Sequence, residues 1–418
     1  MLFKKNRTRI AVVLLILFLA AVVAGWWTKS NLRRGRYQDF LSAIYVMGTV
    51  KLHYYQPVNL GRLIQAYWKT GNISGMLKTL NDPYTRYMGK SEFSELKKET
   101  KGTFGGIGVY LIPKDNELLI STVVKDSPGE KAGLQQGDRI IEVERASVKK
   151  MGTEVAIAKI RGLAGTKVSL RIERGASKNR QELDLLITRA DILIPTVDLK
   201  IKKDPVLGEY GHLKIFQFAE TTPIDLNKKL TELQNSSCHA LILDLRSNPG
   251  GSLDAAIKVA SAFLPDDVPI IHILRQGYPV ETVKTRDAAI AERKLPMVLL
   301  VDSWSASASE IVAGALRDQK RATLIGTRTF GKDLIQEVRE LPSDAGVTIT
   351  IASYLTSGKI NIHKRGVKPD IVVEIPGAMD RLLKKGDPQP FFKMQTMQED
   401  EAVKFLRKIV RTPQKFAS

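Results

Sequence analysis

One cysteine, Cys238, stands in 418 residues, so the chain cannot close a disulfide on itself and has no CxxC redox or metal pair. Histidine is nearly as scarce: the five residues are scattered, and without HExxH or a close pair zinc catalysis is disfavoured. No GxSxG elbow occurs, which argues against a Ser-His-Asp hydrolase. Acid is in short supply, with 44 Asp and Glu against 64 Lys and Arg, a formal net charge of +20. Such an excess draws some chains to anionic lipid or nucleic acid. Here no arginine-rich helix, zinc module or aromatic-basic RNA motif accompanies it, so we read it as a basic surface with no nucleic-acid partner. No metal or organic cofactor is implied.

What is present is globular in composition, 43% hydrophobic and 26% charged, and too long for one ordinary core; two or three domains plus appendages are expected. Ile10 to Trp27 is a run of 18 residues without a charge, preceded by Lys4, Lys5, Arg7 and Arg9 and closed by Trp26-Trp27. The length suits a bilayer core and the paired Trp its interface. We expect a single-pass anchor at 10–27, residues 1–9 inside, and the body on the far side of a bacterial inner membrane, in the periplasm. A cleaved signal peptide, cut before Gly25, is the competing reading. Residues 28–100 read as helical, ending in the turn Asn81-Asp82-Pro83-Tyr84-Thr85-Arg86-Tyr87. We assign this region packing rather than chemistry, with an oligomer contact left open.

Residues 103–189 carry short β-type runs (IGVYL, ELLISTVV, DRIIEVE, KVSLRIER, QELDLLIT) around one helical segment, TEVAIAKI. Gly105-Gly106-Ile107-Gly108-Val109 opens the unit, and Ala132-Gly133-Leu134 and Gly137-Asp138 fill its middle. With these elements it resembles a PDZ domain. The resemblance implies that the loop Gly106, Ile107, Gly108 and Val109 offers backbone N–H groups to a terminal carboxylate while the peptide adds a strand to the sheet. Ile107 and Val109 point to a greasy pocket and hence to partners with exposed, apolar C-termini.

From 191 to 375 strands alternate with helices: HALILDLRSNPGG, LDAAIKVASAFL, PIIHIL, PMVLLVD, ASEIVAGALRD, ATLIGT. That order predicts a largely parallel α/β core. Residues 376–418 form a tail with a basic amphipathic helix carrying Ala402, Phe405, Leu406 and Ile409 on one side. Within the core, Ser305-Ala306-Ser307-Ala308-Ser309 joins a strand to a helix. Ser307 fits a nucleophile, because the Ala308 N–H begins the helix, has no partner in the helical ladder and faces a developing oxyanion. Ser307-Ala-Ser-Glu310 is equally a capping box. Lys332 lies 25 positions on, after Thr329-Phe330-Gly331. A lysine takes a proton from serine only if burial removes its charge. Gln336, four residues further, would lie near Lys332 if the stretch is helical, and would hold the amine without adding charge. Gly250-Gly251, after a buried strand, is a plausible second source of oxyanion N–H groups or simply a turn. Gly326 to Lys332 spells GxxxxGK, but Asp333 stands where a P-loop needs Ser or Thr, so nucleotide binding is dismissed.

Asp-Leu-Arg-Ser-Asn-Pro-Gly-Gly, Ser-Ala-Ser-Ala-Ser-Glu, Thr-Phe-Gly-Lys with its glutamine, and Gly366-Val367-Lys368-Pro369-Asp370 together resemble the carboxyl-terminal processing, or tail-specific, proteases. The resemblance runs from about Tyr37 to Ile375 and implies a Ser-Lys endopeptidase that binds protein C-termini and cleaves them. In it Ser307 is the nucleophile, Lys332 the general base and Gln336 its orienting partner, with Ala308 and Gly250 or Gly251 as oxyanion donors. The implied architecture is multi-domain α/β: transmembrane helix, helical cap, β-rich PDZ domain, protease core. Two departures stand out: Ser303-Trp304, where the family has small residues, and Asp333, where glycine is usual. Neighbouring residues in a helix diverge, so Asp333 is expected to point away from Lys332. The rival function is a latent or inactive PDZ scaffold, and an activating partner or homo-oligomer stays open.

Overall fold

A computed structural model of the chain describes residues 34–114, 117–175, 181–193, 195–286, 295–374 and 389–411. The segment read as a membrane anchor lies outside them. No helix among the described residues is long and apolar enough to cross a membrane.

The N-terminal part is helical as expected: α1 (Arg34–His53) and α2 (Leu60–Thr70) precede a short strand, β1 (Arg86–Met88). Asn59 caps α2 by accepting the Arg62 N–H, and Gly71, in the left-handed region, stops it. The buried side is Ala43, Val46, Val50 and Leu63, packed on Leu341 and on Val347 and Ile349 of a later sheet. Contacts divide the chain into two compact units. The smaller is Glu95–Thr196 with Ala219–Thr221, and the larger is the remainder.

The smaller unit begins within α3 (Lys90–Thr100). It holds β2 (Thr103–Gly106), β3 (Val109–Lys114), β4 (Glu117–Val123), β5 (Arg139–Val143), α4 (Thr153–Ile160), β6 (Lys167–Arg174), β7 (Gln181–Thr188) and β8 (Ala190–Leu193). Strands β3 to β7 pair in chain order, all antiparallel, and β2 pairs with β8. Every second residue of β6 faces the core: Val168, Leu170 and Ile172 are buried with Ile120, Ile140 and the Ala156 and Ile160 side of α4. β3 stands at the sheet edge.

The larger unit continues with β9 (Val197–Asp204), β10 (Gly208–Ile215), α5 (Thr222–Gln234), β11 (Ala240–Asp244), α6 (Leu253–Ser261), β12 (Pro269–Leu274), β13 (Glu281–Lys284), β14 (Met297–Val301), α7 (Ala308–Asp318), β15 (Thr323–Gly326), β16 (Leu334–Glu340), β17 (Gly346–Thr356), β18 (Ile371–Val372) and α8 (Gln389–Arg411). One sheet runs β9-β10-β11-β14-β15-β18, parallel except for the first pair. β11 and β14 are buried at every residue because both faces are covered. Leu241, Leu243, Leu299 and Val301 meet helices α5 to α7. Ile242, Val298 and Leu300 meet Ala402 and Leu406 of α8, so the amphipathic tail docks on the body. The second sheet is antiparallel: β17 pairs with β1, β12 and β16.

Candidate active site

The β14–α7 connection is a tight turn whose three serines have separate duties. The Ser305 hydroxyl donates to the Leu245 carbonyl (2.8 Å) and accepts the Asp302 N–H (2.9 Å), and the Ser309 hydroxyl donates to the Asn248 carbonyl (2.9 Å). Both are wholly buried. Asp302, also buried, takes the N–H groups of Ser247, Trp304 and Ser305 on its carboxylate, tying this turn to the Arg246–Gly251 loop. Ser307 is left half-buried at the helix N-cap, with φ 54° and ψ −112°. A non-glycine residue held there stores roughly 1–3 kcal/mol of strain, which the surrounding bonds must over-determine.

Those bonds converge on Glu310, the third helical residue of α7, which is 0% exposed. One carboxylate oxygen accepts the N–H groups of Ser307 (2.9 Å) and Lys332 (2.9 Å). The other accepts the Gly331 N–H (2.6 Å) and the Thr329 hydroxyl (2.5 Å). The capping box is thus real, and the Glu310 side chain also fastens the lysine loop to the serine turn. The Tyr354 hydroxyl, fully buried, lies 3.2 Å from the Ser307 carbonyl and 3.0 Å from that of Lys332. Burial pushes the Lys332 amine below the ordinary lysine range, against the opposing pull of Asp82 and Glu310. Its Nζ sits 4.4 Å from the centroid of the Tyr84 ring.

One expectation about the lysine loop is corrected. The stretch after Lys332 is strand β16, not helix, so the four-residue spacing does not bring Gln336 under the amine by helical geometry. Gln336 is instead re-aimed at a register shift between Ile335 and Gln336, opposite Thr350. Its amide nitrogen is buried without a hydrogen-bond partner. Asp333, expected to point away from Lys332, is engaged elsewhere. It is buried, and its carboxylate lies 2.6 Å from His363 Nδ1.

Asn248 brackets the turn from the other side. Its amide donates to the Ile215 carbonyl (2.9 Å) and its oxygen accepts the Gly250 N–H (2.9 Å). The Gly250 N–H is therefore spoken for, while Ala308 opens the helix and Gly251 follows at φ 137°. Gly250 serves by its missing side chain: a Cβ on it would meet the Ala306 carbonyl at 2.6 Å, the Ser307 Cβ at 2.9 Å and the Ala308 nitrogen at 3.0 Å. Gly250→Ala is expected to displace the serine turn and lower stability by about 1–3 kcal/mol, since its φ of 102° is also unfavourable. An unfolding midpoint equal to that of the parent would contradict this contact.

In the smaller unit, Gly106 ends β2 and pairs with Ala190, and Val109 begins edge strand β3. The Ile107 carbonyl accepts the Gly129 N–H (2.6 Å) and the Gly108 carbonyl the Val124 N–H (2.8 Å), so the loop's carbonyls are committed inward. Ile107 is 1% exposed and part of the core, which corrects its place in a greasy pocket. A cavity of about 410 Å³ is lined by Thr103, Gly105, Ile157, Arg161, Gly162 and Leu163, and by none of Gly106 to Val109.

Sequence reading passed over Asp82 and Tyr84, taken there as turn residues. Asp82 accepts the Tyr84 N–H (2.9 Å) and the hydroxyls of Thr85 (2.7 Å) and Thr350 (2.6 Å), which sets the Tyr84 ring beneath Lys332. An aspartate with an aromatic and a hydroxyl residue packed into Asp82-Pro83-Tyr84-Thr85 is the available signal.

Residues 209–373 match the model of peptidase family S41, and residues 119–174 that of the PDZ domain. The carboxy-terminal processing protease CtpA of Bacillus subtilis is 36% identical over 329 residues, spanning 78% of this chain and 67% of that protein. The carboxyl-terminal-processing protease of Synechocystis sp. is 37% identical over 306 residues, 73% of this chain and 70% of the relative. Among solved structures, the photosystem II D1 C-terminal processing protease matches 82% of this chain and 95% of its own, at 27% identity and a TM-score of 0.52.

Proposed function

Since the chain belongs to peptidase family S41 and is a serine-type C-terminal processing peptidase with a PDZ domain, we propose that Ser307 is its nucleophile and Lys332 its general base. The observation that carries this reading is the Glu310 carboxylate, which accepts the backbone N–H of both residues and so couples the two loops. In the reaction, neutral Lys332 removes the Ser307 hydroxyl proton as Oγ attacks the scissile carbonyl, and the resulting ammonium protonates the leaving amine. Water then attacks the acyl-serine, with Lys332 again as base. The oxyanion is taken by the Ala308 N–H at the start of α7 and by Gly251, because Gly250 already donates to Asn248. Gln336 orients the amine. Its partnerless amide, together with the position of Lys332 over Tyr84, supports a resting form in which this last contact is still to be made.

Substrates are protein tails. The glycine loop Gly106 to Val109 and the open edge of β3 capture the terminal carboxylate and the strand behind it. Residues 10–27 tether the enzyme to the membrane, with its body on the extracytoplasmic side.

The test compares two peptides in the full-length enzyme, identical except that one ends in a free apolar residue and the other in its amide. The free acid is expected to show a KM at least about tenfold lower, the discrimination typical of a built polar contact. Equal KM values would refute capture of the carboxylate. Cleavage of neither peptide under any condition would favour the scaffold reading.

A further inference from the structure

The buried Asp333 is an anomaly in a site whose proposed base must be uncharged. A carboxylate one residue from Lys332, turned toward the amine, would hold it as ammonium and silence it. The side chain is only 5% exposed, so water does not dissipate its charge. Its partner is His363, which is 45% exposed and reaches in from the Ile362–Val367 loop with Nδ1 2.6 Å from the Asp333 oxygen.

That loop is built to hold the lysine turn. The Lys364 N–H donates to the Gly331 carbonyl (2.9 Å), the Val367 N–H to the Thr329 hydroxyl (2.7 Å) and the Thr329 N–H to the Val367 carbonyl (3.2 Å). Gly331 packs so closely that a Cβ would lie 2.8 Å from the Arg365 nitrogen. These bonds, with those to Glu310, fix the path of the turn. His363 adds the one side-chain bond that decides where the Asp333 carboxylate points. The same bond orients the imidazole, with Nδ1–H donating to the carboxylate.

We propose that His363 is a positioning residue for the reaction, holding the Asp333 carboxylate off the Lys332 amine and thereby keeping that amine available as a base. This deepens the Ser307–Lys332 reading and rests on it. The groups around the pair are few. Lys332 faces Asp82 and Tyr84 from the N-terminal turn and Glu310 from α7. Asp333 is sensed by the phenols of Tyr55, Tyr84 and Tyr354, all of which are neutral at working pH. Lys332 is the neighbour of Asp333 in sequence, so a carboxylate released from His363 has an amine beside it in the chain. Asp333 is also one of the two departures from the family pattern noted in the sequence, standing where glycine is usual.

Two measurements test this on the full-length protein. The first is the pH dependence of kcat/KM on a tail peptide for the parent, His363→Ala, Asp333→Asn and the double variant. An opposite charge brought within about 4–6 Å raises the pH midpoint of an amine by about one unit or more. His363→Ala should therefore lose about tenfold at neutral pH, with the deficit closing as pH rises, and Asp333→Asn in the same chain should restore the parent profile. A loss of equal size at every pH, or one that Asp333→Asn does not reverse, would mean that His363 only straps the loop, and would overturn the proposal. The second measurement follows acetylation of Lys332 against pH by mass spectrometry in the Ser307→Ala background, where no catalysis is needed. The midpoint should rise by about one pH unit with His363→Ala and return in the double variant. An unmoved midpoint overturns the proposal. Activity surviving Lys332→Ala would instead remove the catalytic reading while leaving the labelling result standing, so the two failures are distinguishable.

Discussion

Lys332→Met should lower kcat/KM by about four orders of magnitude or more while leaving the protein folded and somewhat more stable. Removal of one member of a nucleophile–base pair abolishes nearly all of the chemistry the pair performs, as triad deletions in other serine hydrolases show. Stability moves the other way because the ammonium is an expensive group to bury. Burial pushes the Lys332 amine down from the free-lysine value, so between that lowered midpoint and the free value the unfolded chain binds more protons than the folded one. In this window the parent gains stability as pH rises, and below it the parent carries the full penalty of the buried charge. Methionine has no such term, fills a similar volume and places its sulfur against the Tyr84 ring. Thermal melts across pH should show the variant above the parent at neutral pH, with the gap narrowing toward alkaline pH. Ser307→Ala is the companion: equal loss of cleavage, with the pH dependence of the melt unchanged. Cleavage retained by either variant would remove that residue from the mechanism. A melt that drops in Lys332→Met would show that the amine is a net structural asset.

How far the sequence foretold this site depends on how local each contact is. The strand–turn–helix around Ser307 was legible, because an unbroken apolar run, a small-residue turn and a helical repeat all lie within Met297–Asp318. The double-sided burial of β11 and β14 was legible for the same reason. The stretch after Lys332 was not. Leu334-Ile335-Gln336-Glu337-Val338 suits either period, and what makes it a strand is pairing with β17 across the intervening turn. Tyr84 under Lys332 was beyond reach of any pattern: the two are 248 positions apart in sequence (332 − 84), joined through Asp82 and Thr350. Gly250 reads correctly as a place of close approach, but sequence leaves Gly250 and Gly251 as alternative oxyanion donors, because the acceptor that takes the Gly250 N–H belongs to a side chain, Asn248, whose rotamer no spacing rule specifies. Ile107 failed for a related reason, since a loop residue beside glycine can turn either to the ligand or to the core, and here the core takes it.

Glu310 deserves the second variant because its four partners are all donors. Glu310→Gln keeps the length and polarity but replaces one oxygen, each of which accepts two hydrogens, by an NH2 that confronts two donors. Whichever way the amide turns, either the Ser307 and Lys332 N–H groups or the Gly331 N–H and Thr329 hydroxyl face another donor. A buried donor left unpaired costs about 1–3 kcal/mol, so both Glu310→Gln and Glu310→Ala should lose roughly 3–5 kcal/mol of stability. Catalysis should fall further than folding at a temperature where the variant remains native, by about 10² to 10³, the effect of moving a reacting group by about an ångström. Lys332 titration would be displaced as well, because Glu310 is one of the two carboxylates that oppose the burial of its amine. Measurement of kcat/KM beside the unfolding midpoint separates the terms. If Glu310→Gln melts early but turns over peptide as fast as the parent, the carboxylate merely caps α7 and the serine and lysine loops hold their alignment without it. If turnover collapses in proportion to neither melting nor lysine titration, the loss must come from the Ser307 turn itself, whose unfavourable backbone angles have no other acceptor holding the serine N–H in place.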